Sequence, residues 1–206
     1  MTLYLFMEEQ WIAGIDEVGR GALFGPVVAA AVILPTTMLA DLTKAGVKDS
    51  KMLSPAKRSE LAKQIRAVAI DVKIGVASVQ EIDRLNILKA SLLSMKRAIL
   101  RLSPQPTLCL IDGNQSITDL GLSQQTIIKG DQISIQIAAA SILAKVWRDA
   151  LVTRLDSRYP GYDLASNKGY GSAKHRSAIA HLGISRQHRK SFKGCREWSS
   201  RPFYGL

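Results

Sequence analysis

The chain predicts an α/β fold with one central sheet, and three observations carry that prediction. Short runs rich in Ile, Val and Ala alternate with longer stretches whose apolar residues recur every three or four positions. Carboxylates stand where the apolar runs end: Asp16 and Glu17 after Trp-Ile-Ala-Gly-Ile, Asp112 after Thr-Leu-Cys-Leu-Ile, and Asp131 after Thr-Ile-Ile-Lys-Gly. With 206 residues, 47% hydrophobic and 22% charged, the chain can bury one full core. A single domain over residues 1–206 is expected, in which about 159–206 forms a basic helical and loop region.

Taken in order, Trp11 to Asp16 reads as a first strand, Gly19 to Gly25 as a glycine-rich turn, and Pro26 to Leu34 as a second, buried strand closed by Pro35. Ser54 is placed to cap a helix with Pro55 at its first position, running to about Val68. Ile70, Val72, Ile74 and Val76 alternate, the period of a half-buried strand up to Ala77. Ser78-Val-Gln-Glu81 is a capping box, and Ile82, Leu85, Leu88, Leu92, Met95 and Ile99 follow at helical steps as a core-facing stripe. Thr107 to Asp112 and Thr126 to Lys129 read as two short strands. A long helix from about Ile133 is expected to carry Ile133, Ile137, Ala140, Ala144, Trp147 and Leu151 inward. After Tyr159 the sequence is looser, with one helix from Ser172 to Leu182 ended by Gly183. No repeat, low-complexity segment or long linker interrupts this pattern.

The net charge of +11 and a pI of about 9.9 call for a polyanionic partner, either nucleic acid or an anionic membrane surface. Between Lys145 and Arg201, 13 Lys and Arg face 4 Asp and Glu, so most of the excess lies in the last third. The opening residues lack a charged leader and a cleavage site, and the longest apolar run, Val27 to Leu34, is too short to span a bilayer. A cytoplasmic protein without membrane association is expected. Cys109 and Cys195 have no Cys-x-x-Cys spacing and read as free thiols, so neither disulfides nor structural zinc is expected.

Carboxylates at the ends of buried strands point where the core opens to solvent, and in an α/β sheet such ends converge. Gathered acids repel one another unless a cation sits between them, and oxygen-only ligands suit Mg²⁺ or Mn²⁺ rather than zinc. Each residue also has an ordinary explanation. An Asp after a strand serves turn chemistry, and Asp131 could cap the long helix that follows.

Six pieces in order, Gly14-Ile-Asp-Glu-Val-Gly-Arg-Gly21, Asp49-Ser-Lys51, Leu110-Ile-Asp-Gly113, Lys129-Gly-Asp131, Ala139-Ala-Ser-Ile-Leu-Ala-Lys145 and Lys168-Gly-Tyr-Gly171, resemble ribonuclease HII from about Ala13 to Phe192. The resemblance implies an RNase H-like fold, a mixed five-stranded sheet flanked by helices with a C-terminal helical region. It implies an endonuclease that cuts the RNA strand of RNA–DNA hybrids and nicks 5′ to ribonucleotides embedded in duplex DNA, leaving 5′-phosphate and 3′-hydroxyl ends. The family's acidic quartet falls on Asp16, Glu17, Asp112 and Asp131, expected to hold two Mg²⁺ or Mn²⁺ ions, with Asp16 the candidate to bridge them. By the same resemblance Gly19, Arg20, Gly21 and Tyr170 read the 2′-hydroxyl. Ser50 is expected on the substrate side, and Arg20, Lys51, Lys145 and Lys168 near phosphates, because backbone neutralisation supplies most sequence-independent affinity; Lys145, on its helix, could equally pair with a local carboxylate. Asn167 stands where a histidine usually precedes Lys-Gly-Tyr, and Ala22 where proline is common.

Asp149 is expected to be structural or a neighbour of phosphate, and His175, His181 and His188 to be surface or phosphate-side residues. Three other readings compete. A non-catalytic basic nucleic-acid-binding domain needs only the charge, but four acids at its binding face would oppose phosphate without metal. Another nuclease or recombinase on the same scaffold would lack the Gly-Arg-Gly and Tyr170 pair. Ribonuclease HIII normally carries an extra N-terminal binding domain, and none is expected here because the first acidic pair begins at residue 16. A P-loop nucleotidase is excluded, since no Gly-x₄-Gly-Lys-Ser/Thr occurs. A monomer is expected, because a single nick needs no two-fold partner.

Overall fold

The structure is a computed structural model that describes residues 10–48 and 50–198. Asp49 of the Asp-Ser-Lys piece and the tail beyond Trp198 lie outside the described residues.

Five strands form one mixed sheet: β1 (Ile12–Val18), β2 (Val27–Ile33), β3 (Asp71–Ala77), β4 (Leu108–Asp112) and β5 (Ser123–Ile127), in the order β3-β2-β1-β4-β5. β1, β2 and β3 pair antiparallel, whereas β4 lies parallel to both β1 and β5. The last strand is shifted from the expected Thr126 to Lys129 to begin at Ser123, because Gln124 faces inward and its side-chain amide bonds both backbone groups of Ile117.

Helices cover both faces. α1 (Leu39–Ala45), α2 (Pro55–Val68) and a long helix α6 (Ile135–Leu155) pack with Ala30, Val32, Leu61 and Ile65 on one side. On the other, α4 (Ile87–Ile99) sets Met95 and Ile99 against Ile15, Ala29, Ile33 and Ile111. The Ser54 cap with Pro55 at N1 and the Ser78–Glu81 capping box both form as the sequence predicts. The single stripe expected from Ile82 to Ile99 is instead two helices, α3 (Val79–Leu85) and α4, because Asn86 adopts φ 72° and caps α4 by accepting from the Lys89 amide. The break turns the register, so Leu88 is exposed and Ala90, Ser94 and Ala98 join the buried face.

The long helix is also divided. α5 (Gly130–Ile133) ends at Ser134, whose hydroxyl accepts from the Ile137 amide and starts α6. Asp131 is therefore not the cap of the long helix, and Ile133 points outward rather than into the core. Past α6, α7 (Leu164–Asn167), α8 (Ala173–Leu182) and α9 (Lys193–Arg196) gather around Phe24, Val152, Tyr162 and Ile179. Among the described residues no helix is long and apolar enough to cross a membrane, and both cysteines are buried free thiols.

Candidate active site

Parallel pairing of β1 with β4 builds the site. The register sets Ile15 beside Ile111, so one residue further along Asp16 arrives beside Asp112 at the same sheet edge. Because side chains alternate, Ile15 and Ile111 enter the core under α4 while the two aspartates turn to the α6 side. Glu17 has the other parity, but it is the penultimate residue of β1 and its longer side chain reaches the same point. One carboxylate oxygen from each of Asp16, Glu17 and Asp112 lies within 4.8 Å of the other two.

Each acid is held by a specific partner. Asp16, 5% exposed, accepts from the Glu17 amide at 2.7 Å and bonds Ser141 of α6, whose hydroxyl lies 2.9 Å from that of Ser50. Arg20 Nη1 donates to Glu17 Oε1 at 3.1 Å. The Gly130 amide donates to Asp112 Oδ1 at 2.7 Å, and a side chain at Gly130 would strike Ile137. Asp131 stands outside the 4.8 Å group, with its Oδ2 3.5 Å from Lys51 Nζ.

Burial, followed by the charges of Glu17 and Asp112, raises the Asp16 carboxyl well above the usual carboxylate range. Burial raises Glu17 as well, with Arg20 opposing it. A cluster of oxygens that disfavours its own charge matches a hard divalent cation, and nothing in the donor set is soft. Asp16, Glu17 and Asp112 are thus able to hold Mg²⁺ or Mn²⁺, with Asp131 one loop away.

The acids form the floor of an open cavity of about 580 Å³, and every nominated residue except Asp131 and Lys168 lines it. Its wall is the Gly19–Gly21 turn, zipped to the Lys168–Gly171 segment. Ala22 pairs with Tyr170, and the Leu23 amide donates to the Gly169 carbonyl at 2.8 Å. Gly19 has φ +91°, and a Cβ there would sit 2.1 Å from Arg148 Nε, so no other residue fits. A Cβ on Gly21 would meet nothing within 4 Å, which leaves its backbone open to the cavity. Asn167 bonds the Tyr162 carbonyl and the Gly169 amide, each at 2.7 Å, so it fixes the loop itself.

Two buried arginines, which the sequence reading passed over, staple this wall from behind. Arg148 donates to the carbonyls of Phe24, Pro26 and Lys168, and Arg189 to those of Arg20 and Gly25. Burial and the neighbouring Arg148 push Arg189 down to about 9. The Tyr170 ring has Lys145 Nζ and the Arg148 guanidinium each 5.4 Å from its centroid. Ser141, Lys145 and Arg148 occupy one face of α6 at steps of four and three, a polar stripe on an apolar helix that was visible in the sequence.

Lys145 also pairs with Asp149 at 2.9 Å, which gives Asp149 a structural partner. Lys168 turns away from the acids, its Nζ bonded to Thr153 Oγ1 and the Ala165 carbonyl. His181 is exposed, but His175 and His188 are fully buried rather than on the surface, because Phe24, Tyr162 and α8 close over them.

The family model for ribonuclease HII matches residues 13–195. The chain belongs to the ribonuclease HII family. It is 65% identical to ribonuclease HII of Acaryochloris marina over 184 residues, 89% of this chain and 93% of that one. Ribonuclease HII of Trichodesmium erythraeum is 61% identical over 94% of this chain and 90% of its own length. Among solved structures, ribonuclease HII of Archaeoglobus fulgidus, determined in complex with PCNA, aligns with TM-score 0.76 at 30% identity over 89% of this chain and 95% of that one. The ribonuclease H2 of Pyrococcus horikoshii aligns with TM-score 0.75 at 24% identity over 90% and 95%. The RNase H-like fold predicted from the sequence is therefore the fold observed, and the chain is a metal-dependent endoribonuclease of the ribonuclease H type 2 class that acts on RNA–DNA hybrids.

Proposed function

We propose that this enzyme cuts the RNA strand of RNA–DNA hybrids and nicks duplex DNA 5′ to a single embedded ribonucleotide, with Asp16, Glu17, Asp112 and Asp131 holding two divalent ions. The observation that carries this reading is that the carboxylate group and the Gly-Arg-Gly and Tyr170 wall share one cavity. Ions held there would supply Lewis-acid stabilisation of the phosphate and a water of lowered pKa, so no histidine base is needed. Mn²⁺ and Mg²⁺ both suit the donor set, and a Bst ribonuclease HIII with the same fold was solved with Mn²⁺.

The chain's own groups position the substrate. Arg20 keeps the Glu17 carboxylate turned toward its neighbours, and Ser141 orients Asp16. Lys51 and Lys145, which both line the cavity, offer cations to the phosphate backbone. In this reading the open backbone at Gly21 and the Tyr170 side chain, both on the cavity wall, meet the 2′-hydroxyl, the one group that separates a ribonucleotide from its DNA neighbours. The basic C-terminal helices support the duplex beyond the cavity.

The deciding experiment is cleavage of a labelled DNA duplex carrying one ribonucleotide, with Mn²⁺, Mg²⁺ or neither, by wild type and Asp16→Asn. A metal-dependent nick 5′ to the ribonucleotide that the variant loses is expected. Duplex binding without a cut in either metal would replace the catalytic reading with a nucleic-acid-binding one.

A further inference from the structure

Behind Tyr170, and outside the carboxylate site, lies a pair of fully buried histidines whose hydrogen bonds admit one arrangement of protons. The Ser185 amide lies 2.9 Å from His188 Nδ1, and an N–H can only donate, so that nitrogen is an acceptor. Ser185 Oγ, 2.8 Å from the same nitrogen, adds a second polar contact. In a neutral ring the His188 proton then sits on Nε2, which lies 3.1 Å from His175 Nε2. That atom must accept, which leaves the His175 proton on Nδ1, 2.9 Å from the Tyr170 carbonyl, a group that can only accept. Ser185, His188, His175 and Tyr170 thus form one directed chain of donors.

The surroundings hold this chain neutral and rigid. Phe24 meets His188 edge-on at 5.1 Å, and Tyr162 lies 4.7 Å from His188 and 6.1 Å from His175. Burial lowers His175, and burial with the His175 neighbour pushes His188 down to about 3, while Asp163 opposes the fall at His175. His175 also stands in the first turn of α8, where its amide donates to the Ser172 cap, and the Ser172 amide donates to the same Tyr170 carbonyl at 2.8 Å. The Tyr170 backbone is therefore clamped to the start of α8 at one end and to Ala22 of the Gly-Arg-Gly turn by its own pairing.

We propose that His175 and His188 are positioning residues for ribonucleotide recognition: the directed chain from Ser185 fixes the Tyr170 carbonyl and so holds its ring at the cavity wall. Neither histidine touches the reacting atoms. This inference rests on the reading of Tyr170 as the group that meets the 2′-hydroxyl.

The test compares His175→Leu, His175→Asn, His188→Leu and Tyr170→Ala on a duplex with one embedded ribonucleotide, with kcat, KM and duplex binding measured separately and folding followed by Tm. Loss of one positioning hydrogen bond should lower kcat for His175→Leu by about tenfold while duplex binding stays within about twofold. His175→Asn, whose side-chain amide can donate from nearly the same place as Nδ1, should recover most of that loss. Folded His175→Leu with wild-type kcat, or folded His175→Asn no better than His175→Leu, overturns the inference. If Tyr170→Ala itself cleaves normally, the Tyr170 reading falls instead, a separate result. Should the histidine variants fail to fold, nitrogen-15 NMR of the wild-type imidazoles decides the matter: a proton on His188 Nε2 and on His175 Nδ1 supports the chain, and any other tautomer pair removes it.

Discussion

Gly14 and Gln136 meet so closely that no side chain fits between them: a Cβ on Gly14 would stand 2.1 Å from the Gln136 carbonyl carbon. This contact lets α6 lie flat on β1 and brings Ser141 to Asp16, two residues along the strand from Gly14. Gly14→Ala should destabilise the fold by about 1–3 kcal/mol through overpacking. A shift of roughly 1 Å at a catalytic group can cost about 100-fold in rate, so cleavage should fall further than the folded fraction does. Thermal unfolding and cleavage rates on one preparation check both, and a variant with wild-type Tm would show that the helix has room to spare.

Asp16→Asn should remove activity by more than about 100-fold and yet not weaken the metal-free protein. Asp16 is buried beside Glu17 and Asp112, so its charge is a cost to folding without a cation. In chelator the variant should melt at or above the wild-type temperature. With Mn²⁺ at about 100 times its Kd, wild type should gain roughly 2.7 kcal/mol, and the variant should gain much less. Parallel melting curves in chelator and in Mn²⁺ measure this crossing, and a variant stabilised by metal as strongly as wild type would place the ion elsewhere.

Metal affinity should weaken as pH falls, beginning above the ordinary carboxylate range. The sign follows from Asp16: its folded-state pKa is raised, so a proton competes for the site at a pH where a free aspartate would already be ionised. Folding stability responds the opposite way, since protonation of a carboxyl with a raised folded pKa relieves its buried charge. Calorimetric Mn²⁺ titrations between about pH 5 and pH 8, repeated in buffers of different ionisation enthalpy, should show proton release that grows toward the acid side. Affinity independent of pH across that interval would mean that Asp16 is already fully ionised.

Acid lability should carry a signature of His188. Its folded-state pKa is pushed down to about 3 from the ordinary 6.5, so between those values the unfolded chain holds the extra proton and stability falls as pH is lowered. The group contributes a slope of up to about 1.4 kcal/mol per pH unit inside that window and none above it. His188→Gln should lower stability at neutral pH but flatten its decline below about pH 6. Denaturant unfolding at a series of pH values measures the slope, and an unchanged slope in the variant would assign the acid sensitivity to other groups.

What could be read directly was local. Ser54, Ser78 and Ser172 cap their helices through residues three positions away, and Gly183 ends α8, so each signal was complete within a few residues of sequence. Asn86 was less legible, because an apolar stripe continues through it and only its left-handed φ separates α3 from α4. The buried histidines were misjudged because a lone His in a basic, polar tail carries no periodic signal, and burial there depends on Phe24 arriving from the β1–β2 connection.

The sequence by itself determined most strand and helix periods, the Ser54 and Ser78 caps, the basic surplus and the presence of the four acids, together with the motif order that marks the family. These are properties of neighbours along the chain, or of residue chemistry that needs no partner to be recognised. Only the tertiary structure decided that parallel pairing carries Asp16 to Asp112, that Asp131 stands off toward Lys51, and that Lys168 turns away from the site. It also decided that Arg148 joins Phe24 across 124 residues and that His175 Nδ1 comes within 2.9 Å of the Tyr170 carbonyl. The physical reason is that a buried donor must find its acceptor wherever the fold brings one, and that distance in space is set by packing rather than by position in the sequence.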